Sequence, residues 1–259
     1  MNWQEFDLEQ IIEIAKDAGK EILNVYDKDF EVDYKDDKSP LTEADKKSND
    51  AIVDALKKAF PEVPIISEEM KEVPFEERNR WDLFWMVDPL DGTKEFIKKN
   101  GEFTVNIALV ENGIPVAGVV YVPVRDEVYF GKKGEKSFKI GKDGARSELS
   151  SGKHYKDLDS IKVVASRSHL SDAVVEFVDE LKEKGKKVEF ISAGSSLKIC
   201  LVAEGLADVY PRFGPTMEWD TAAAHAVAEY AGRKVLNAEN FTALKYNKEN
   251  LLNPWFIVE

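Results

Sequence analysis

One segment of the chain constrains its fold more than any other, because it compresses a strand, a tight turn and a helix start into a few residues. The run 83–87 is short and apolar, which predicts a buried β-strand. Pro89 lacks a backbone N–H group and fixes φ, so we expect the strand to end just after Asp88. Gly92 permits close backbone approach, and Thr93 is expected to begin a short helix.

The same junction carries candidate chemistry. Asp88 and Asp91 are expected to crowd together at the strand end, while the free N–H groups of the helix start favour an anion. Two carboxylates would repel that anion unless cations lay between them. An Asp-Pro turn with a threonine N-cap would also explain these residues. The coincidence of strand, two acids, glycine, hydroxyl and helix favours a phosphate and metal site.

Length and composition indicate an ordinary globular protein. The chain has 259 residues, 43% of them apolar, which is enough for a large core in one unit with two lobes. Its formal net charge of −13 disfavours binding to nucleic acid polymers. No stretch approaches the roughly 20 apolar residues of a membrane helix, and residues 1–7 are acidic, unlike a signal peptide. We expect a cytoplasmic protein, with peripheral contact at the inner face of the membrane left open.

Cysteine and histidine usage excludes two classes of enzyme. Cys200 is the single cysteine and lies in an apolar run, which indicates a packed thiol in a reducing compartment. His154, His169 and His225 show no zinc-ligand spacing with one another or with Cys200. Zinc hydrolases and cysteine nucleophiles are therefore not expected.

The first part of the chain predicts helices and an antiparallel meander. Apolar residues spaced for one helix face predict a helix over 7–26, and a second helix opens within 39–45 and runs to Phe60 before Pro61. A short strand is predicted at 63–66. The predicted meander strands are 103–110, 116–122 and 127–130.

The second part predicts an α/β lobe. The stretch 131–155 is rich in Gly, Ser and Lys and marks the expected boundary between lobes 1–152 and 153–259 of a single catalytic unit. Beyond it, strands and helices alternate, which is typical of an α/β lobe. The predicted strands are 161–165, 188–191, 207–210, 234–236 and 255–258, and the predicted helices are 173–184, 195–204 and 220–230.

Acidic residues recur at strand or helix ends in four separated places. These are Asp45, the pair Glu68 and Glu69, the pair Asp88 and Asp91, and Asp220. Each alone is explained as a helix cap or a solvated acid. If they converge, hard divalent cations such as Mg²⁺ would relieve their repulsion, and two such ions could activate a water and stabilise a leaving oxygen.

Three runs of the chain resemble the signatures of the inositol monophosphatase superfamily. They are Glu68-Glu69, Asp88-Pro89-Leu90-Asp91-Gly92-Thr93 and Trp219-Asp220-Thr221-Ala222-Ala223. Residues 91–97 running into 101–106, and 194–198 running to 210–216, resemble most its branch of bacterial 3'(2'),5'-bisphosphate nucleotidases. This resemblance covers essentially the whole chain. Ala224 departs from it, because glycine is usual there, and we expect altered packing beside the substrate.

The resemblance implies a fold and a metal site. The fold is α+β, the layered αβαβα sugar-phosphatase fold shared with fructose-1,6-bisphosphatase, with an antiparallel-sheet N-terminal lobe and an α/β C-terminal lobe. Two or three Mg²⁺ ions would be held by Glu68, Asp88, the Leu90 carbonyl, Asp91 and Asp220. Asp45 and Thr93 would orient the attacking water, and Glu69 would act through water.

The resemblance also implies a substrate. It is adenosine 3',5'-bisphosphate, whose 3'-phosphate would be removed in sulfur assimilation, together with its sulfated form; lithium sensitivity is implied as well. Ser195, Lys198 and Arg212 are candidates for a second site that binds the 5'-phosphate, and the alternative is that both cations are ordinary solvated side chains. The implied substrate-binding set is Glu68, Leu90, Asp91, Gly92, Thr93, Ser195, Lys198, Arg212 and Asp220.

Several alternatives stay open at this point. An inositol or sugar phosphatase could be built on the same scaffold. A metal- and nucleotide-binding regulator without activity is a further hypothesis, although it would not need Asp45 and Thr93. Arg167 and His169 are weaker candidates for the nucleotide side. The oligomeric state is expected to be monomer or homodimer.

Overall fold

The computed structural model describes residues 6–28, 32–34, 40–150, 152–165 and 171–259. Its helices are α1 (Leu8–Tyr26), α2 (Glu43–Ala59), α3 (Phe75–Arg78), α4 (Thr93–Ile97), α5 (Asp172–Glu183), α6 (Leu197–Ala203) and α7 (Ala222–Tyr230). Its strands are β1 (Val32–Tyr34), β2 (Pro40–Thr42), β3 (Ile65–Ser67), β4 (Leu83–Asp91), β5 (Thr104–Glu111), β6 (Ile114–Val122), β7 (Glu127–Lys132), β8 (Phe138–Ile140), β9 (Arg146–Glu148), β10 (Ser160–Ala165), β11 (Lys187–Ser192), β12 (Tyr210–Arg212), β13 (Val235–Asn237) and β14 (Phe256–Val258).

A seven-stranded sheet forms the centre of the molecule, with strand order β3-β4-β5-β6-β7-β8-β9. Only β3 and β4 are parallel; every other neighbouring pair is antiparallel, so the predicted meander is confirmed. The stretch 131–155, where the sequence predicts a boundary between lobes, contains β8 and β9, and these two strands extend the sheet. All three β9 residues are exposed, so this edge strand lacks the apolar signal of a core strand.

Strand β4 is longer than predicted. β4 pairs with β5 as far as Asp88. After a register shift, the pairing resumes at Asp91, which lies opposite Thr104. Pro89 falls inside this shift, where no ladder hydrogen bond from its nitrogen is needed. The predicted end at Asp88 is therefore wrong, and the irregularity separates two acids that remain on one strand.

Helices cover both faces of the sheet. On one face, α1 and α2 pack with their apolar stripes inward, and Gly19 of α1 lies close to Tyr121 of β6. On the other face, α7 packs against the sheet and α6 packs beside α7. Gly118 of β6 faces the backbone of Ala223 so closely that an added Cβ would lie 2.2 Å from that carbonyl oxygen. Close helix packing therefore requires glycine at position 118.

The second half adds two smaller sheets and an outer helix. Strands β10 and β11 pair in parallel, and β12, β14 and β13 form an antiparallel sheet. With α5 packed against β11 and β12, the layers alternate helix, sheet, helix, sheet, helix, as predicted. The strand predicted at 207–210 instead begins at Tyr210, since Val209 makes only an isolated bridge to Val163.

Two further observations concern the whole chain. One hydrophobic core joins the two halves, since it packs Phe84 and Met86 of β4 with Ala223 and Val227 of α7. Because this core contains residues from both sides of residue 152, it does not mark a boundary there, and the division into lobes 1–152 and 153–259 stays a prediction. Within the described ranges, no helix has both the length and the apolar character needed to cross a membrane.

Candidate active site

Four of the predicted acids, Glu68, Asp88, Asp91 and Asp220, line one cavity beside the central sheet. Because β3 and β4 are parallel, their carboxyl ends lie side by side, and the backbone N–H group of Glu68 donates to the Val87 carbonyl at 3.2 Å. Asp88 follows Val87 directly, so Glu68 and Asp88 are neighbours. Asp220 arrives from the turn before α7. A cavity of 390 Å³ is lined by Glu68, Asp88, Leu90, Asp91, Gly92, Thr93, Lys94, Glu95, Pro215 and Asp220.

Backbone N–H groups orient three of these carboxylates. Asp88 Oδ1 accepts from the N–H group of Leu90 at 3.0 Å, across the turn at Pro89. Asp91 Oδ2 accepts from Ser196 N at 2.5 Å, and Asp220 Oδ2 accepts from Met217 N at 2.9 Å. Each bond fixes one oxygen of its carboxyl group. Neutral donors thus arrange the acids without neutralising them.

Burial and the charges of neighbouring carboxylates raise the pKa values of Asp88, Asp91 and Asp220. Burial raises the pKa of Asp88 well above its usual range, and the charges of Glu68, Asp91 and Asp220 raise it further. Burial also raises the pKa of Asp91 to about 6, against the opposing effect of Lys198. The pKa of Asp220 is raised by burial and by the charge of Asp91. Negative charge is therefore unfavourable in this cavity in the absence of a positive ion.

The donor set fits a hard divalent cation. The acids that line this cavity offer carboxylate oxygens, and Leu90 offers a backbone carbonyl oxygen. Mg²⁺ and Ca²⁺ prefer both kinds of oxygen ligand. In the described part of the chain, no three His, Cys, Asp or Glu side chains stand close enough together to hold an ion as placed. Binding would therefore require the carboxylates to close in, which the cation's charge would favour.

Asp45 and Thr93 are brought together, although they are 48 positions apart. Asp45 is the third residue of α2 and completes a capping box with Thr42, whose N–H and hydroxyl groups donate to Asp45 Oδ2 at 2.7 and 2.6 Å. The other oxygen, Oδ1, accepts from the Thr93 hydroxyl at 3.3 Å. Asp45 is thus both the helix cap that the sequence explains and the partner of a hydroxyl in the acidic cavity.

A second cavity of 390 Å³ adjoins the first. The two share the lining residues Asp91, Gly92, Lys94, Glu95 and Asp220. Ser195, Lys198 and Arg212 all line it, so the structure places the three candidate anion-binding residues together. Lys198 is only 8% exposed, and burial lowers its pKa against the opposing charge of Asp91. It is therefore not a solvated surface cation.

Arg212 is less buried than Lys198. Its Nη2 atom donates to the Pro215 carbonyl at 2.9 Å, while its buried Nε atom has no hydrogen-bond partner among the described residues. Lys94 of α4 and Lys98, the residue directly after α4, also line this second cavity, and sequence reasoning missed both. Their spacing of four on a helix that begins at Thr93 was the available signal, since it places both on one helix face.

Other predicted residues fall elsewhere. Arg167 and His169 lie outside the described residues. Ala224 is fully buried within α7 and lines neither cavity. A third cavity of 620 Å³ includes Glu68 and Trp219, but Glu68 is the only predicted metal ligand among its lining residues.

Comparison with known proteins places the chain in a family. The sequence profile described as the inositol monophosphatase family matches residues 3–253. The chain belongs to the inositol monophosphatase family. Among curated proteins, this family member is 46% identical to "3'(2'),5'-bisphosphate nucleotidase CysQ" of Salmonella typhimurium, over 97% of this chain and 98% of that protein. A protein of the same description from Haemophilus influenzae is 36% identical, over 97% and 91% of the two chains.

Solved structures of the inositol monophosphatase family agree with the fold. The crystal structure of CysQ from Bacteroides thetaiotaomicron superposes with a TM-score of 0.86 at 48% identity, covering 99% of this chain and 98% of that one. An inositol monophosphatase of Thermotoga maritima superposes with a TM-score of 0.77 at 23% identity, covering 97% and 91% of the two chains, and supports the fold alone. The predicted layered αβαβα fold is confirmed.

Proposed function

We propose that this member of the inositol monophosphatase family is a Mg²⁺-dependent 3'(2'),5'-bisphosphate nucleotidase. It would convert adenosine 3',5'-bisphosphate to adenosine 5'-phosphate and inorganic phosphate, and act on the sulfated form as well. The observation that carries the proposal is the pair of joined cavities, one acidic and one lined by Lys198 and Arg212. A substrate with two phosphates needs one site for the reacting phosphate and one for the other. The 46% identity to a CysQ nucleotidase supports the same substrate class.

Residues of the acidic cavity would hold the metal. Glu68, Asp88, Asp91 and Asp220, with the Leu90 carbonyl, would bind two or three Mg²⁺ ions. When bound, such ions supply an activated water and stabilise a leaving oxygen. Gly92, which has a left-handed φ of 96° and no Cβ, lets the phosphate oxygens approach the backbone before α4.

The Asp45–Thr93 pair would position the water that attacks phosphorus. Asp45 Oδ2 accepts two hydrogen bonds from Thr42, which fixes the carboxyl group so that Oδ1 accepts from the Thr93 hydroxyl. Because the Thr93 hydroxyl donates a hydrogen bond to Asp45, its oxygen is free to accept a hydrogen bond from the attacking water. A proton leaving the water can then pass to Thr93 Oγ1 while Asp45 Oδ1 receives the hydroxyl proton.

The second cavity would select the nucleotide. Lys198 and Arg212 would bind the 5'-phosphate through charge-assisted hydrogen bonds, with Ser195 as a further donor. Burial lowers the pKa of Lys198 and so disfavours its charged form. A bound phosphate would favour the charged form again. Such a site has no use for a substrate with a single phosphate.

We infer that the enzyme acts in the cytoplasm, in sulfur assimilation, as a monomer or a homodimer. The hypothesis is tested by measuring phosphate release from adenosine 3',5'-bisphosphate and from inositol 1-phosphate in parallel, each with Mg²⁺ and with a chelator. A Mg²⁺-dependent preference for the nucleotide is expected. A preference for inositol phosphate would replace the substrate, and no release from either would favour a non-catalytic binder.

A further inference from the structure

We infer that Asn106 of β5 is a positioning residue, which acts together with Ser196 to hold Asp88 and Asp91 in place for cation binding. This inference rests on the proposed metal site. Asn106 and Thr104 lie in the run 101–106 that carries part of the family resemblance, but sequence reasoning gave neither of them a role. Their location opposite the two acids of β4 draws attention to them.

A chain of buried hydrogen bonds links β5, through Ser196, to Asp91 of β4. Thr104 Oγ1 and Ser196 Oγ are 2.8 Å apart, and Ser196 Oγ donates to Asn106 Oδ1, also at 2.8 Å. The backbone N–H group of the same serine donates to Asp91 Oδ2. Exposures of these three polar side chains are 0% for Thr104, 1% for Asn106 and 3% for Ser196. The side chain of Ser196 is thus fixed on β5 while its backbone holds a proposed metal ligand.

Sheet register places the same residues beside both acids. Asp88 pairs directly with Asn106 across β4 and β5, and Asp91 pairs with Thr104. Directly opposite residues of antiparallel strands project on the same face, with Cβ atoms roughly 4.5–5.5 Å apart. Asn106 therefore lies next to Asp88 and, through Ser196, also controls the donor to Asp91.

Asn106 has one donor group to spare. Its Nδ2 atom is buried and has no hydrogen-bond partner among the described residues. Buried amide donors without a partner are costly, which indicates that a partner exists in some state of the protein. Asp88 is the neighbouring acceptor, and Oδ1 of Asp88 is already bonded to Leu90 N. We assign the amide of Asn106 as the donor that steadies the Asp88 carboxylate when a cation binds.

Magnesium binding measured by isothermal titration calorimetry, without substrate, tests this role. Asn106→Leu removes both the acceptor and the donor, and Ser196→Ala removes only the hydroxyl link. Loss of a group that orients a metal ligand typically weakens metal binding 10–100-fold, so we expect the Kd for Mg²⁺ to rise by about 10-fold or more in each variant. The double variant should add little to either, because both act in one chain of hydrogen bonds.

A matched control separates positioning from stability. Ser137 is equally buried, and its hydroxyl donates to the Val227 carbonyl at 2.7 Å, on the α7 side of the sheet. Ser137→Ala should lower the melting temperature by a similar amount to Ser196→Ala and leave the Kd for Mg²⁺ unchanged. If Asn106→Leu fails to fold, the smaller change Asn106→Ser replaces it in the same titration.

The outcomes distinguish this inference from the proposed function. Unchanged Mg²⁺ binding in folded Asn106 and Ser196 variants would overturn the positioning role, as would an equal loss in Ser137→Ala or no Mg²⁺ binding to the unaltered protein. An unaltered protein that binds Mg²⁺ but releases no phosphate from the nucleotide would refute the proposed function. The positioning role would then still be supported by weakened Mg²⁺ binding in the variants.

Discussion

At the residue scale, Asp91 is a proposed metal ligand that also lines the second cavity. It is oriented by Ser196 N, faces Lys198 and shares both cavities. Asp91→Asn keeps the shape of the side chain but removes the charge that would bind a cation. Removing even an outer partner of a metal ligand costs 10–100-fold, so we expect kcat/KM to fall by at least about 100-fold.

The fold of this variant should survive, because asparagine relieves the repulsion that raises the pKa of Asp88. Thermal unfolding of Asp91→Asn followed by circular dichroism checks this point, and initial rates at saturating Mg²⁺ check the activity. Turnover equal to that of the unaltered protein would contradict the metal assignment.

Arg212 carries the prediction on selectivity. Arg212→Ala should raise KM for adenosine 3',5'-bisphosphate by about 10-fold or more, since a hydrogen bond to a charged group contributes about 1.5–3 kcal/mol. KM for inositol 1-phosphate should change far less. The control is Arg80→Ala, because Arg80 is exposed and lines neither cavity. Equal effects of Arg212→Ala on the two substrates would refute the role in 5'-phosphate binding.

His225 gives a prediction on pH and stability. It is buried in α7 beside the Tyr246 hydroxyl at 2.9 Å, and burial lowers its pKa to about 3. In the unfolded chain its pKa is near 6.5, so between pH 6.5 and 3 the unfolded state binds a proton that the folded state does not. His225 therefore lowers stability progressively as pH falls through this window, by about 1.4 kcal/mol per pH unit.

His225→Gln removes this titration. Urea unfolding of both proteins at pH 7.5, 6.0 and 5.0 measures the free energy of unfolding. The difference between the unaltered protein and the variant should shift in favour of the variant as the pH falls. Parallel pH dependence of the two proteins would contradict the buried neutral histidine.

At the element scale, amphipathic helices and the meander could be predicted because each carries its own periodicity. The stripe of α1 and the strands β5, β6 and β7 follow from apolar spacing. The exposed strand β9 lacks that signal, and its pairing comes from the neighbouring strand instead. Ser195 has a φ of 45°, which delays α6 beyond its predicted start.

Packing of α7 against the sheet gives the prediction at this scale. Gly118→Ala would place a Cβ 2.2 Å from the Ala223 carbonyl oxygen, so the helix or the strand must move. Overpacking of this kind costs about 1–3 kcal/mol. The control is Gly152→Ala, where the new Cβ would meet its nearest atom, on Arg233, at an ordinary 3.6 Å. Equal free energies of unfolding for the two variants in urea would contradict the close packing.

At the scale of the whole molecule, sequence alone could predict which residues matter but not that they meet. Glu68 and Asp88 become neighbours only because β3 is parallel to β4, and Asp45 reaches Thr93 through the packing of α2 on the sheet. Neither relation has a local signature. The resemblance to a family implied the convergence in advance, whereas roles for Lys94, Lys98 and Asn106 could be assigned only from the structure.

The central claim is that one cavity acts on the 3'-phosphate while the other holds the 5'-phosphate. The most direct measurement is ³¹P NMR of the products formed from adenosine 3',5'-bisphosphate with Mg²⁺. We predict adenosine 5'-phosphate and inorganic phosphate in equal amounts, with no reaction in the presence of chelator. Formation of adenosine 3'-phosphate, or release of phosphate without Mg²⁺, would contradict the account.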